Sequence, residues 1–79
     1  MQYRRLGRAG IRVSTLSLGS WVTYANQVDA KAAVEMMAAA FDAGINFFDN
    51  AEVYALGQSE TIMGQALKTL AWPRLNYLV

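Results

Sequence analysis

The sequence predicts an α/β fold, in which an N-terminal β-hairpin precedes the first βαβαβ units of a parallel (β/α)8 TIM barrel. Two short β-prone runs come first, and strand-like and helix-like segments then alternate along the chain. That alternation is typical of a parallel sheet whose crossovers are helices. A doubly wound open sheet has the same order of elements. However, residues 18–23, the first βα turn, lack the glycines of a dinucleotide-binding or P-loop motif. The barrel is therefore the favoured architecture.

The hairpin is predicted from residues 3–6 and 11–13, which are β-prone, and from Gly7 and Gly10 between them. Two glycines in so short a connection favour a tight turn. Residues 16–19 then have the pattern of a short strand closed by glycine. Beyond it, residues 20–28 have no clear period and are predicted to form a loop.

Asp29 is the predicted N-cap of the first helix, because its carboxylate can accept amide hydrogens of the first turn. Gly44 lies where a left-handed C-terminal cap is expected, with Ile45 after it for the accompanying apolar contact. Between these caps, apolar residues recur at the spacing of one helical face. They are Ala30, Ala33, Val34, Met37, Ala38 and Phe41.

Residues 45–48 are almost all apolar without alternation, which is typical of a strand buried on both faces. The second helix is predicted to be capped by Ser59, with Glu60 near the positive end of its dipole. Pro73 ends that helix, and residues 75–79 are predicted to begin another strand. The apolar face of the helix consists of Ile62, Met63, Ala66, Leu67 and Leu70.

Composition narrows the classes of function. The 79 residues include no Cys and no His, so disulfides and thiolate or imidazole metal ligands are excluded, and no metal site is predicted. A net charge of +1 gives no reason to expect nucleic acid, and the N-terminal arginines are interpreted as a solvated hairpin surface. They are Arg4, Arg5, Arg8 and Arg12.

No export signal and no run of the ~20 apolar residues that span a bilayer is found, so we expect a cytoplasmic protein without membrane insertion. The hydrophobic fraction of 54% is high for a chain of this size, which suggests that neighbouring structure is missing.

The residues with candidate chemistry follow the strand predicted at 45–48. Asp49 ends that strand and Tyr54 follows in the loop before the next helix, which in a parallel barrel is the rim where active sites lie. A phenol can donate a proton to an oxyanion forming on a carbonyl, but an ordinary phenol pKa of about 10 calls for a neighbouring cation. Asp49 could hold such a cation. The cation is expected from elsewhere, because Lys31 and Lys68 lie in helical segments.

Each of these residues also has a purely structural interpretation. A strand-ending Asp often satisfies loop amides, and a loop Tyr often packs its ring on a helix. Trp21 fits equally well as a wall for a flat ring such as nicotinamide or as an apolar residue closing the barrel mouth. Gln27 is a weaker candidate, because loop glutamines are usually solvated.

Four segments together resemble the N-terminal portion of aldo-keto reductases: residues 6–14, 18–23, 42–49 and 51–54. Their order and spacing are similar to those of the family, and the resemblance runs across essentially the whole chain. The most similar branch contains the β subunits of voltage-gated potassium channels and their bacterial relatives. The resemblance implies that residues 1–79 are an N-terminal fragment of one barrel, with a hairpin over 1–14 and the first barrel units over 15–79.

The resemblance implies an NADP-dependent oxidoreductase that reduces aldehydes or ketones to alcohols by hydride transfer from NADPH. Asp49 and Tyr54 match two of the four catalytic residues of the family, with Tyr54 as proton donor; the Lys and the His are expected beyond residue 79. The residues that match the family's nicotinamide-contacting positions are Ser20, Trp21, Gln27 and Asp49. At one of these positions, Ser20 replaces a threonine that is common in the channel-subunit branch. The implied partner is a small carbonyl compound, and a homo-oligomer of the full-length protein is left open.

Two other interpretations stay open. The barrel could bind NADP without turnover and regulate a partner, as channel subunits do, because both kinds of protein use the same pocket. Alternatively, the chain is an inactive truncated remnant, because alone it would carry unpaired strand edges and apolar helix faces. The isolated chain is expected to be inactive and prone to aggregation.

Overall fold

A computed structural model describes residues 1–21 and 29–79 of the chain. The strands β1 and β2 form an antiparallel hairpin, and β3 pairs with β4 in parallel. Leu78 adds a parallel bridge to Phe47 on the other edge of β4. The described chain is thus a hairpin followed by βαβαβ, as predicted. In order, its elements are β1 (Tyr3–Arg5), β2 (Arg12–Ser14), β3 (Leu18–Gly19), α1 (Ala30–Asp42), β4 (Phe48–Asp49), a turn at Tyr54–Gly57, α2 (Gln58–Leu70) and a 3-10 helix at Arg74–Asn76.

The hairpin turn depends on its two glycines, as the sequence predicted. Gly7 and Gly10 both adopt the left-handed region, with φ of +54° and +74°, which glycine enters at little steric cost. The amide of Leu6 donates to the carbonyl of Ile11 at 2.8 Å and closes the turn.

Asn46 fastens this hairpin to the sheet. Its Oδ1 accepts a hydrogen bond from the amide of Ser14 at 2.8 Å, and its Nδ2 donates to the carbonyl of Arg12 at 3.1 Å. The hydroxyl of Tyr3 makes a second attachment by donating to the carbonyl of Gly44 at 2.7 Å. The hairpin therefore lies at the amino end of β4, away from the end that carries Asp49.

The start of α1 agrees with the sequence prediction. Asp29 accepts a hydrogen bond from the amide of Ala32 at 2.9 Å through its side chain, which satisfies one of the free donors of the first turn.

The end of α1 is a Schellman motif, in which Gly44 takes a φ of +97°. The amide of Gly44 donates to the carbonyl of Phe41 at 2.9 Å, and the amide of Ile45 donates to the carbonyl of Ala40 at 3.0 Å. Because Ile45 belongs to this cap, the strand predicted over residues 45–48 is displaced toward the C-terminus.

The prediction of a strand beginning at residue 75 is wrong. Arg74–Asn76 form a 3-10 helix, closed by a hydrogen bond of 2.9 Å from the amide of Asn76 to the carbonyl of Pro73. Parallel pairing is reached only at Leu78. The connection from α2 to the sheet therefore includes this extra turn, and the strand pairing begins later than predicted.

The prediction of Ser59 as the cap of α2 is also wrong. The helix begins at Gln58, after Gly57 with a φ of +92°, and has no side-chain cap. The chain enters α2 from a left-handed turn, and the helix therefore starts before Ser59. Ser59 is buried in the first turn, and its hydroxyl has no hydrogen-bond partner among the described residues. Glu60 lies in the first turn, as predicted.

The core lies between the two helices and the sheet. The predicted apolar faces of α1 and α2 meet there, and Trp72 packs beside them with its ring stacked on Phe41 at a centroid distance of 4.1 Å. Burial of a side chain as large as Phe48 stabilises the fold by roughly 1.5–3 kcal/mol. The buried apolar side chains are Ala33, Met37, Phe48, Met63 and Ala66. In the two described ranges, no helix has both the length and the apolar character needed to cross a membrane.

We expect Gly44→Ala to destabilise the fold by about 2 kcal/mol, because alanine at positive φ is strained. The new Cβ would also lie 2.8 Å from the Cβ of Met1. Urea unfolding followed by tryptophan fluorescence measures this change. Gly64→Ala is the matched control, since a Cβ at Gly64 meets none of the described residues within 4 Å. In a helix this substitution should stabilise the fold by about 0.5–1 kcal/mol. Equal destabilisation by both substitutions would contradict the role of the cap.

Candidate active site

The carboxyl ends of β3 and β4 form one rim. Gly19 pairs with Asp49 in the parallel register, and the buried hydroxyl of Ser20 donates to the carbonyl of Asp49 at 2.7 Å. A Cβ built on Gly19 would lie 3.9 Å from Oδ2 of Asp49. The carboxylate of Asp49 therefore lies beside the end of β3, on the exposed side of the rim.

Tyr54 reaches the same rim from the loop that follows β4. Its ring contacts that of Trp21, with a centroid distance of 6.3 Å and an interplanar angle of 31°. The side chain of Trp21 is 66% exposed. The structure thus brings together four residues that the sequence singled out: Ser20 contacts Asp49, and Trp21 contacts Tyr54.

Asn50 holds this loop against α2, a role that the sequence analysis missed. Its Nδ2 donates to the carbonyl of Ser59 at 3.2 Å and to the sulfur of Met63 at 3.4 Å. Its Oδ1 accepts from the amide of Ala51 at 2.8 Å. An Asn directly after a strand is typical of such side-chain to backbone turns, and that signal could have identified it.

The chain leaves Tyr54 through a turn of three left-handed residues. Ala55 and Leu56 have φ of 52° and 56°, and Gly57 completes the turn. Of the three, only Gly57 is a residue type that favours this conformation. A non-glycine residue in the left-handed region costs roughly 1–2 kcal/mol of stability. The side chain of Leu56 is also 95% exposed. Before Gly57, no residue type in the sequence favours this turn.

Ser20 and the predicted residues away from the rim have different surroundings. Ser20 is buried and donates its hydroxyl to the protein backbone, so its observed contact is with the β4 end. Gln27 lies outside the described residues. Lys31 and Lys68 lie in α1 and α2, as expected. Within residues 1–21 and 29–79, no group of three or more carboxylates could hold a metal ion.

The arrangement offers a proton donor, a carboxylate and an aromatic wall at one rim. Tyr54 can donate a proton to an oxygen that gains negative charge, and Asp49 can attract a cation into the same region. The exposed indole of Trp21 can stack against a planar ring. Together these three side chains can hold a planar molecule at the rim and donate a proton to it.

The family model for the aldo/keto reductase family matches residues 15–79 of the chain. The chain belongs to the aldo/keto reductase family. It is also similar over its whole length to probable voltage-gated potassium channel β subunits. Identity is 58% to the protein of Oryza sativa subsp. japonica and 53% to that of Arabidopsis thaliana. The chain spans only 24% of the length of each of these relatives.

A solved aldo-keto reductase has the same fold over nearly the whole chain. It is a thermostable enzyme crystallised with the inhibitor epalrestat, and it matches 98% of this chain with a TM-score of 0.77 and 30% identity. The matched part is 29% of that enzyme. The predicted architecture, a hairpin with the first βαβαβ units of a (β/α)8 barrel, is therefore confirmed, as is the predicted family.

We expect Leu56→Asn to stabilise the fold by about 1 kcal/mol, because asparagine tolerates the left-handed region better than leucine does. Leu75→Asn is the matched control. Leu75 is 97% exposed but does not have positive φ, so its substitution should change stability by less than about 0.5 kcal/mol. Thermal unfolding of the two variants gives the comparison. A loss of stability in Leu56→Asn would mean that Leu56 makes contacts that offset the strain.

Proposed function

We propose that this chain contributes Asp49 and Tyr54 to the active site of an NADP(H)-dependent oxidoreductase that reduces aldehydes or ketones to alcohols. The supporting observation is the joint position of the two residues at the carboxyl end of β4. Active sites of parallel barrels are built at that end. Family membership supports the reaction class, and the position of the two residues at this rim supports their proposed roles.

In this proposal, Tyr54 donates its hydroxyl proton to the carbonyl oxygen of the substrate as that oxygen gains negative charge. Asp49 forms an ion pair with a lysine, and the lysine stabilises the phenolate that remains on Tyr54. The chain has no His, and Lys31 and Lys68 lie in the helices. We therefore propose that a lysine and a histidine from another part of the barrel complete the site, consistent with a chain spanning about a quarter of its relatives' length.

The rim fits the nicotinamide end of the cofactor. Among the described residues, a side chain at Gly19 would meet only the Asp49 carboxylate within 4 Å, and the exposed ring of Trp21 presents a flat apolar surface. When bound there, the cofactor supplies the hydride for the carbonyl carbon. In this proposal Trp21 orients the planar ring and limits its access to water. Ser20 supports the site indirectly by fixing the backbone of Asp49.

We expect Tyr54→Phe in the full-length gene product to lower the rate of carbonyl reduction by about 10²–10⁴-fold, the usual contribution of a positioned general acid. Cofactor affinity should stay within about twofold, because the phenyl ring keeps its contact with Trp21. Tyr77→Phe is the control, since Tyr77 packs on Trp72 in the core and should not affect turnover. Steady-state reduction of an aldehyde panel and fluorescence titration with NADPH measure both effects. Retained turnover in Tyr54→Phe would contradict the role of Tyr54.

A second candidate function has direct support from the relatives. Both plant proteins are named as probable potassium channel β subunits, with more than half of the aligned residues identical. We propose as the alternative that the protein binds NADP(H) and docks on a channel without measurable turnover. Bound cofactor with no reduction of any aldehyde in the panel would favour this function. Turnover that depends on Tyr54 would favour the first.

A further inference from the structure

Tyr54 is held through its backbone more firmly than through its side chain. Its ring contacts that of Trp21 at a centroid distance of 6.3 Å, near the upper end of the range in which aromatic pairs attract, about 4.5–7 Å. Its amide donates to the carbonyl of Ala51 at 3.1 Å, and its carbonyl accepts from the amide of Gln58. The position of the phenol at the rim is therefore set by the backbone segment that begins at Ala51.

Asn50 fixes the start of that segment. Its Oδ1 accepts a hydrogen bond from the amide of Ala51 at 2.8 Å. Its Nδ2 donates to the carbonyl of Ser59 at 3.2 Å and to the sulfur of Met63 at 3.4 Å. Ser59 and Met63 are both buried, so the attachment is made on the inner face of α2. One side chain thus joins the end of β4, the loop that carries Tyr54 and the helix that follows this loop.

The loop between these attachments contains strained backbone. Ala55 and Leu56 have φ of 52° and 56°, and each costs roughly 1–2 kcal/mol in that region. Residues of this kind keep their conformation only where the surrounding structure fixes them. Without the side chain of Asn50, the loop would lose its attachment to α2 near β4, and the strained turn would relax and move Tyr54 with it.

A second asparagine near the same strand holds a different element. Asn46 precedes β4, and its side chain bonds to the backbone of Ser14 and Arg12 on the hairpin. Asn50 follows β4, and its side chain bonds to the Tyr54 loop and to α2. The two residues make comparable hydrogen bonds at opposite ends of one strand. Their removal should therefore have similar effects on stability but different effects on the rim.

We propose that Asn50 is a positioning residue for proton transfer from Tyr54. This inference rests on the proposed oxidoreductase function and adds to it a residue that acts through Tyr54 without contacting the substrate. By tying the loop to α2, Asn50 keeps the phenol hydroxyl at the place where the substrate oxygen gains negative charge. Because proton transfer requires the two heavy atoms to be within hydrogen-bond reach, a small displacement of Tyr54 lowers the rate while every reacting group is still present.

A double-mutant cycle in the full-length gene product tests this role. Asn50→Ala should lower the single-turnover rate constant for aldehyde reduction by about 10–10²-fold, the cost of a displacement of about 1 Å. Affinity for NADPH should stay within about twofold, because an interaction that acts only on proton transfer leaves ground-state binding unchanged. In the Tyr54→Phe background, Asn50→Ala should lower the remaining rate by less than about threefold, because the group that it positions is absent. An equal loss in both backgrounds would overturn the proposal.

Asn46→Ala is the matched control. It should lower the melting temperature, because it leaves backbone groups of the hairpin without their partners. Its rate constant should stay within about twofold of the unmodified protein, since the hairpin and the rim lie at opposite ends of β4. A loss of rate equal to that of Asn50→Ala would mean that lower stability alone slows the reaction. Asn50→Ser keeps a hydroxyl that bonds to backbone more weakly, and it should show a smaller, Tyr54-dependent loss even where Asn50→Ala fails to fold.

Fluorine NMR separates a failure of this inference from a failure of the proposed function. With 3-fluorotyrosine at position 54 of the full-length protein, Asn50→Ala should shift and broaden the fluorine resonance, whereas Asn46→Ala should leave it unchanged. An absence of turnover in the unmodified protein would contradict the proposed function, and the resonance would still decide whether Asn50 positions the ring of Tyr54. An unchanged resonance in Asn50→Ala would overturn the inference with or without turnover.

Discussion

The parallel pairing on both edges of β4 is the interaction on which the rest of the structure depends. The amide of Leu18 donates to the carbonyl of Phe47 at 3.1 Å on one edge, and the amide of Phe48 donates to the carbonyl of Leu78 at 2.9 Å on the other. Phe48 is fully buried between these neighbours and the helices. Because β4 is fixed in this way, Asn46, which precedes the strand, can hold the hairpin at its amino end. Asp49, the last residue of the strand, forms the rim at its carboxyl end.

The rim combines this fixed strand with a strained loop. Asn50 connects the end of β4 to the first turn of α2, and the left-handed turn after Tyr54 then leads directly into that helix. Strained residues of this kind persist where the surrounding structure fixes them, and they cluster at functional sites. The cost at Ala55 and Leu56 is therefore consistent with a loop whose task is to hold Tyr54 beside Trp21.

The parts of the fold that the sequence predicted well are those with local signals. The caps of α1, Asp29 and Gly44, lie within a few residues of the groups that they bind, and the apolar spacing between them is a property of one helix. The start of α2 was predicted wrongly because Ser59 has the right residue type, while Ala55 and Leu56 carry no local signal for the left-handed turn that precedes the helix. The late pairing of Leu78 depends on contacts far away in the chain.

For the site, position after a strand was enough to single out Asp49 and Tyr54, but the bond from Ser20 to Asp49 joins residues 29 positions apart and has no local signal. The most direct test of the proposed site is a crystal structure of the full-length gene product with NADP⁺ and a carbonyl-containing inhibitor. We expect the nicotinamide beside Trp21 and the hydroxyl of Tyr54 within about 3 Å of the inhibitor carbonyl oxygen. A nicotinamide bound away from this rim, or a Tyr54 hydroxyl directed into the protein, would contradict it.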